Sequence, residues 1–410
     1  MTNRIKILVV GGGPAGLSVI SAIRRWRSKS KLEITLLEPS DWHYYQSSWL
    51  AYLDNPSENI VCRRHIAELL SPDDVNWVNE AVGEFNPEKN HLLTETGKRL
   101  DYDYLVVACG LQVNWGAIKG LHGKLGRDGI TSILHYSTLD WTKKAITTFN
   151  EGQAIFTHPR SLSNMDGPGK EIMMLIKDRL DLPSISKNVR LKFYTGALQL
   201  YPVDECDLIL SRHFESIGIR YGLEKELIEV RPKAREAIFH DYVTSTVIIQ
   251  KYDFLHVVPP MHSPIAVAQS ELADDSGLVD VDPSTLQHRT YSNIFALGDV
   301  ASTPVVRGVS AITNQMPIVV SNIAAEILGS LVRKSYDGLN HQVILTGKGR
   351  GLWFKCKFMQ FSKSPFSVGS IDSRAMRAFK RRVSSIAYWK LLLAGKQLPT
   401  GFANSHLKQL

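Results

Sequence analysis

Three glycines spaced as Gly11-x-Gly13-x-x-Gly16 follow the apolar run Ile5-Lys6-Ile7-Leu8-Val9-Val10 and precede a stretch whose apolar residues recur at helical spacing. That pattern suits one chemistry, the binding of a nucleotide diphosphate. In the run Gly11-Gly12-Gly13-Pro14-Ala15-Gly16, Gly11 permits a tight turn and Gly13 lets a pyrophosphate approach the backbone. Gly16 lets the following helix pack close to the strand, and the diphosphate then meets that helix's positive N-terminus. A second strand-like run, LEITLLE, ends in Glu38, whose carboxylate accepts hydrogen bonds from ribose hydroxyls and repels a 2′-phosphate.

Two later signals belong with these. Residues 102–112 read as a buried strand closing on Ala108-Cys109-Gly110, and 291–302 read as a strand ending in Gly298-Asp299. The chain has 410 residues, 44% of them hydrophobic, enough for two or three domains. No apolar run is long enough to cross a bilayer. The first apolar run feeds directly into the glycine turn, so the expectation is a chain that works where it is made, in the cytoplasm or peripherally on a membrane. Cys62, Cys109, Cys206 and Cys356 lie far apart without a CxxC, which argues against a cysteine metal centre or a disulfide framework. No metal site is expected. The net charge of +8 is concentrated at the end: residues 347–410 carry thirteen Lys and Arg against the single acid Asp372. In 373–398, apolar Met376, Phe379, Val383, Ile386, Ala387, Trp389, Leu391 and Leu392 alternate with basic residues at roughly helical spacing. Such a segment suits a phospholipid surface, or a helix pair packed on the body, and no nucleic-acid partner is expected.

The three ordered motifs resemble those of two-dinucleotide-fold flavoproteins. The segments LEPSDWHYYQSSW (37–49), FNPEKN (85–90), GQAIFTHP (152–159), LHVVPPM (255–261), GLVDVDPSTLQHRTYSNIFALGD (277–299) and YWKLLLAG (388–395) are similar to the sulfide:quinone oxidoreductases. The resemblance implies an α/β fold with a discontinuous, tandem Rossmann-like FAD domain over 1–115 and 255–335. A second Rossmann-like domain is inserted over 116–254, and a basic, amphipathic helical segment covers 336–410. It also implies that Asp299 takes a ribitol hydroxyl of FAD and that Ala108, Cys109 and Gly110 lie near its diphosphate and adenosine half. Pro39, Tyr45, Gln46 and Val82 are further expected contacts, with Tyr44 beside them, and Gln315 is expected to open a helix aimed at the flavin.

In that family a cysteine pair beside the flavin carries sulfane sulfur and electrons. By register these positions fall on Met165 and Val300, and neither is a cysteine. Arg307 stands where the family has a lysine. His158 and His256 are candidate proton acceptors near neutral pH, and Asp166 is a further candidate base. The reading is an FAD-dependent oxidoreductase that oxidises a small organic, non-sulfide substrate on a face lined by Met165, Val300 and Arg307. Quinone or oxygen is the acceptor. The alternatives are an FAD-binding pseudoenzyme that contacts a membrane or partner, and residual sulfide oxidation through another thiol.

After the strand-like QAIFTH (153–158) no second GxGxxG follows, so a nicotinamide dinucleotide lacks its pyrophosphate cradle. NADH and NADPH are therefore expected to reduce the flavin very slowly. Rapid anaerobic bleaching of flavin absorbance at micromolar NADH would contradict this.

Overall fold

The run Ile5–Val10 forms a strand whose last four residues are buried, as its apolar, β-branched composition requires of a strand covered on both faces. The computed structural model describes residues 4–26, 31–54, 60–71, 73–161, 167–181, 188–358, 360–361, 374–380 and 384–396. Ile5–Val10 lies at the centre of a five-stranded sheet in the order Ile294–Ala296, Tyr104–Val107, Ile5–Val10, Leu32–Leu37, Asn76–Val78, all parallel. The chain leaves the central strand toward Leu32–Leu37 and later returns on its other side with Tyr104–Val107. The crevice at such a reversal, beyond the carboxyl ends of the strands, is where α/β sheets bind ligands. Gly11, Ala108-Cys109-Gly110 and Gly298-Asp299 all follow the carboxyl ends of these adjacent strands. The helices Pro14–Trp26 and Val309–Ile327 pack together over the sheet through Leu17, Ile20 and Ile23 and through Met316, Val319 and Ile323.

A second parallel sheet has the order Ile130–Thr131, Phe254–His256, Gly152–His158, Val189–Thr195, Arg220–Gly222. Its core is built from Phe156, Phe193 and Phe254 with helix Pro168–Leu180. The fold is therefore α/β with two Rossmann-like parallel sheets. No helix among the described residues is long and apolar enough to cross a membrane.

The segment after residue 336 departs from the helical expectation. It opens with an antiparallel hairpin, Leu339–Gly347 against Arg350–Lys357. Leu352, Phe354 and Cys356 are buried while Trp353, Lys355 and Lys357 are less so, which is the period of a strand rather than a helix. Cys356 is thus a core residue. Helices Arg374–Ala378 and Ser384–Ala387 follow, the latter running into a wider turn over Tyr388–Leu392. Part of the basic excess points inward. Arg377 Nη1 donates to Asp178 at 2.6 Å and its Nε to Asp54 at 3.1 Å, while Lys380 binds Glu171 and the Val343 carbonyl. Tyr388 and Leu392 are buried against the helices of the first sheet, whereas Phe379 and Ile386 are exposed. The pair Tyr388-Trp389, expected to face a membrane or to pack on the body, packs on the body. The Met376 side chain and Val383 lie outside the described residues.

Replacing Arg377 with methionine leaves Asp54 and Asp178 without their shared cation. The expected loss is about 2 kcal/mol, between that of an exposed and that of a buried ion pair. Urea unfolding checks it, and an unchanged midpoint would show that the pair does not anchor the segment.

Candidate active site

The glycine loop is shaped by what a side chain would strike. Gly11 has a φ of +108°, and a Cβ there would lie 2.5 Å from the Ala108 carbonyl oxygen. A Cβ on Gly16 would sit 1.9 Å from the carbonyl oxygen of Gly11, so the helix closes directly onto the turn. A Cβ on Gly13 would meet nothing within 4 Å, which leaves open space above the backbone between Pro14-Ala15 and the strand end. Glu38 reaches the same loop: its Oε2 accepts from Gly12 N at 2.6 Å and its Oε1 from Ser40 N at 2.8 Å. Burial raises the Glu38 pKa, opposed by those two hydrogen bonds.

The opposite end is the short 3-10 turn Gly298–Val300. Asp299 is half-buried, and its covered Oδ1 has no hydrogen-bond partner among the described residues. Burial pushes its pKa up to about 6, against the pull of the Arg307 guanidinium and the Gly308 N–H. Gln315 sits in the second turn of the helix that begins at Val309, rather than opening it. Its Oε1 accepts from Gly298 N at 2.8 Å, and its buried Nε2 has no partner among the described residues. Two unmet polar atoms at one strand end and open space over Gly13 at another fit a ligand with diphosphate and polyol groups, as FAD has. Arg307 lies over this turn, with Nε donating to the Asp299 carbonyl at 3.2 Å.

Other expected residues are placed differently. Val300 is fully buried in the apolar cluster of Val10, Leu105 and Val279, because the turn directs it into the sheet; the expectation that it lines the substrate face with Met165 and Arg307 is corrected. His256 is fully buried, its Nε2 accepts from Ile133 N at 3.1 Å, and burial lowers its pKa to about 3. It is therefore neutral at physiological pH and holds the 131–134 loop, in place of the expected titration near neutrality. His158 ends strand Gly152–His158 and is also buried. Met165 and Asp166 lie outside the described residues. Tyr45 is covered by Tyr388, their rings stacked at 3.8 Å. Tyr44 packs against Trp49 and Tyr136. Pro39 is exposed beside Glu38, Gln46 is half-buried, and Val82 opens strand Val82–Asn86 against the cluster that holds Val300. Cys109 lies under the Gly11 turn with its thiol pushed up to about 12 by burial. Burial raises Cys62 and Cys206 as well, so these three thiols are protonated at neutral pH.

Because the folded pKa of Asp299 lies above its ordinary 3.8, the protonated form favours folding. That stability is complete below about pH 4 and is lost as the pH rises through about 6. The ionised, partly covered carboxylate then costs on the order of 2 kcal/mol in the apoprotein. Asp299→Asn apoprotein should exceed the native apoprotein in stability near pH 7.5 by about that amount, with the gap shrinking toward pH 4, while binding FAD more weakly. Urea titrations across that range check it, and equal stability at pH 7.5 would contradict the raised pKa of Asp299.

The family model described as pyridine nucleotide-disulphide oxidoreductase matches residues 5–130. The chain is 34% identical over 400 residues to the mitochondrial sulfide:quinone oxidoreductase of Dictyostelium discoideum, covering 97% of this chain and 87% of that relative. It is 30% identical over 396 residues to that of Mus musculus, covering 96% and 87%. Among solved structures, the sulfide:quinone oxidoreductase of Aquifex aeolicus superposes with a TM-score of 0.80 at 20% identity over 97% of this chain and 94% of that one, which concerns the fold alone. A chain of the Tetrahymena thermophila mitochondrial ATP synthase gives 0.81 at 19% identity, covering 96% and 97%. By its identity to full-length relatives, the chain belongs to the sulfide:quinone oxidoreductase family of FAD-dependent oxidoreductases.

Proposed function

We propose that the protein passes electrons to quinone from a small organic donor, without the cysteine relay of sulfide oxidation. When bound, FAD takes up an electron pair from a donor and releases it to an acceptor. The chain's residues supply the surroundings. The turn Gly11–Gly16 holds the diphosphate, Glu38 the ribose, and Asp299 with Gln315 the polyol. Arg307 places a fixed positive charge beside the Gly-Asp turn, which favours a donor with an anionic group and the charge of a reduced flavin. Neither histidine serves as a ready base: His256 is locked neutral, and His158 is buried at a strand end.

One observation supports the organic donor most strongly. The two positions that register with the family's cysteines are Met165 and Val300, and Cys62, Cys109 and Cys206 are held as thiols by burial. A thioether and an isopropyl group form neither a persulfide nor a disulfide. Quinones are apolar and dissolve in bilayers, so exposed Phe379 and Ile386 beside the remaining basic residues suit contact with a membrane surface. The names of the relatives favour a second reading, in which sulfide itself is the donor.

The two readings separate in one assay of sulfide-dependent reduction of a soluble quinone. The native chain should show only background activity, because neither Met165 nor Val300 supplies a thiol. Strong activity in the native chain would establish sulfide as the donor and point to one of its four cysteines. A parallel anaerobic screen of thiols, phenols, quinols and hydroxy acids for flavin bleaching identifies the donor. A panel in which nothing bleaches the flavin would count against an organic donor.

A further inference from the structure

The peptide of Gly12, in the middle of the glycine loop, is held from both sides. Its N–H donates to Glu38, and its carbonyl oxygen lies 2.8 Å from Nδ1 of His43. A carbonyl only accepts, so His43 carries its proton on Nδ1 and its Nε2 is an acceptor. Nε2 lies 2.6 Å from the hydroxyl of Tyr388, which must therefore donate. His43 is buried, and that burial lowers its pKa to about 4, so the imidazole is neutral and the tautomer is fixed by its two partners. A chain of two hydrogen bonds thus runs from the C-terminal segment to the backbone of the dinucleotide loop, across 345 residues of sequence.

The segment that carries Tyr388 is seated on the same unit. Tyr388 stacks on Tyr45, Trp389 packs edge-on to His43 and Tyr45, and Arg64 lies over the Trp389 ring. Ser21 Oγ on the loop helix donates to the Leu393 carbonyl at 2.7 Å. A Cβ on Gly395 would come within 2.3 Å of Ala22 N, so the chain crosses that helix in close contact. We infer that Tyr388 is a positioning residue for the cofactor: through His43 it fixes the Gly12 peptide, so that FAD affinity depends on docking of the C-terminal segment. The inference rests on the flavin reading of the glycine loop.

The test uses full-length apoprotein titrated with FAD by flavin fluorescence. Tyr388→Phe keeps the ring stack and removes one hydrogen bond to a buried group; the dissociation constant should rise roughly 5- to 10-fold. His43→Phe should weaken binding at least as much, and adding Tyr388→Phe to it should cause no further loss, because the relay is already cut. Ile386→Ala, on the exposed side of the same segment, should bind like the native chain. A merely structural role for the ring would not move the two phosphorus resonances of bound FAD, which should shift in both Tyr388→Phe and His43→Phe. Independently of any variant, nitrogen NMR of the native protein should show His43 as the neutral Nδ1–H tautomer. Unchanged affinity and unchanged phosphorus resonances in Tyr388→Phe, additive effects of the two substitutions, or an Nε2–H tautomer would each overturn the inference. Failure of the native apoprotein to take up FAD would overturn the flavin reading itself and the brace with it.

Discussion

The contact between the backbone of Gly11 and the carbonyl of Ala108 sets the geometry on which the rest of the molecule depends. It brings the ends of two adjacent parallel strands so close that no Cβ fits between them, and Gly16 then closes its helix onto the same turn. Once these approaches are made, the crevice at the reversal of strand order is fixed in place. The later strand Ile294–Ala296, adding to the same edge, has to deliver Gly298-Asp299 into it. Gly13, unlike Gly11 and Gly16, has empty space above it, where the proposed reading puts the diphosphate.

The site is also organised by polar groups that the protein leaves unmatched. The covered Oδ1 of Asp299 and Nε2 of the buried Gln315 are costly to keep without partners, and in the reading proposed above a bound cofactor would supply them. Several half-buried charges elsewhere are paired. The basic C-terminal segment spends Arg377 and Lys380 on Asp54, Asp178 and Glu171, which ties the last described helices to both parts of the body. That segment is thereby a part of the folded unit rather than a free basic tail.

The sequence made the first sheet readable because it repeats one device. Several apolar strands end in small or acidic residues, so Gly11, Gly16 and Glu38 stand out by type and spacing, and Asp299 by the resemblance to the family. Residues whose importance comes from distant packing do not. His43 carries no local signal, and its meaning appears only when Tyr388 is brought against it. His256 looked like a titratable group because its sequence gives no measure of burial, and burial is what lowers its pKa. Val300 is placed on the flavin face by family register alone, which likewise carries no measure of burial. The hairpin after residue 336 is masked in the sequence by lysines and arginines that interrupt the two-residue alternation of Leu352, Phe354 and Cys356.

The central claim is that the glycine loop holds the diphosphate of an FAD directly against its backbone. Flavin content of the purified chain, compared with Gly13→Leu, tests this most directly, since the leucine fills the space that is open over Gly13 without touching protein. The account predicts one FAD per native chain and none in a folded Gly13→Leu variant. Stoichiometric FAD in that variant would contradict it.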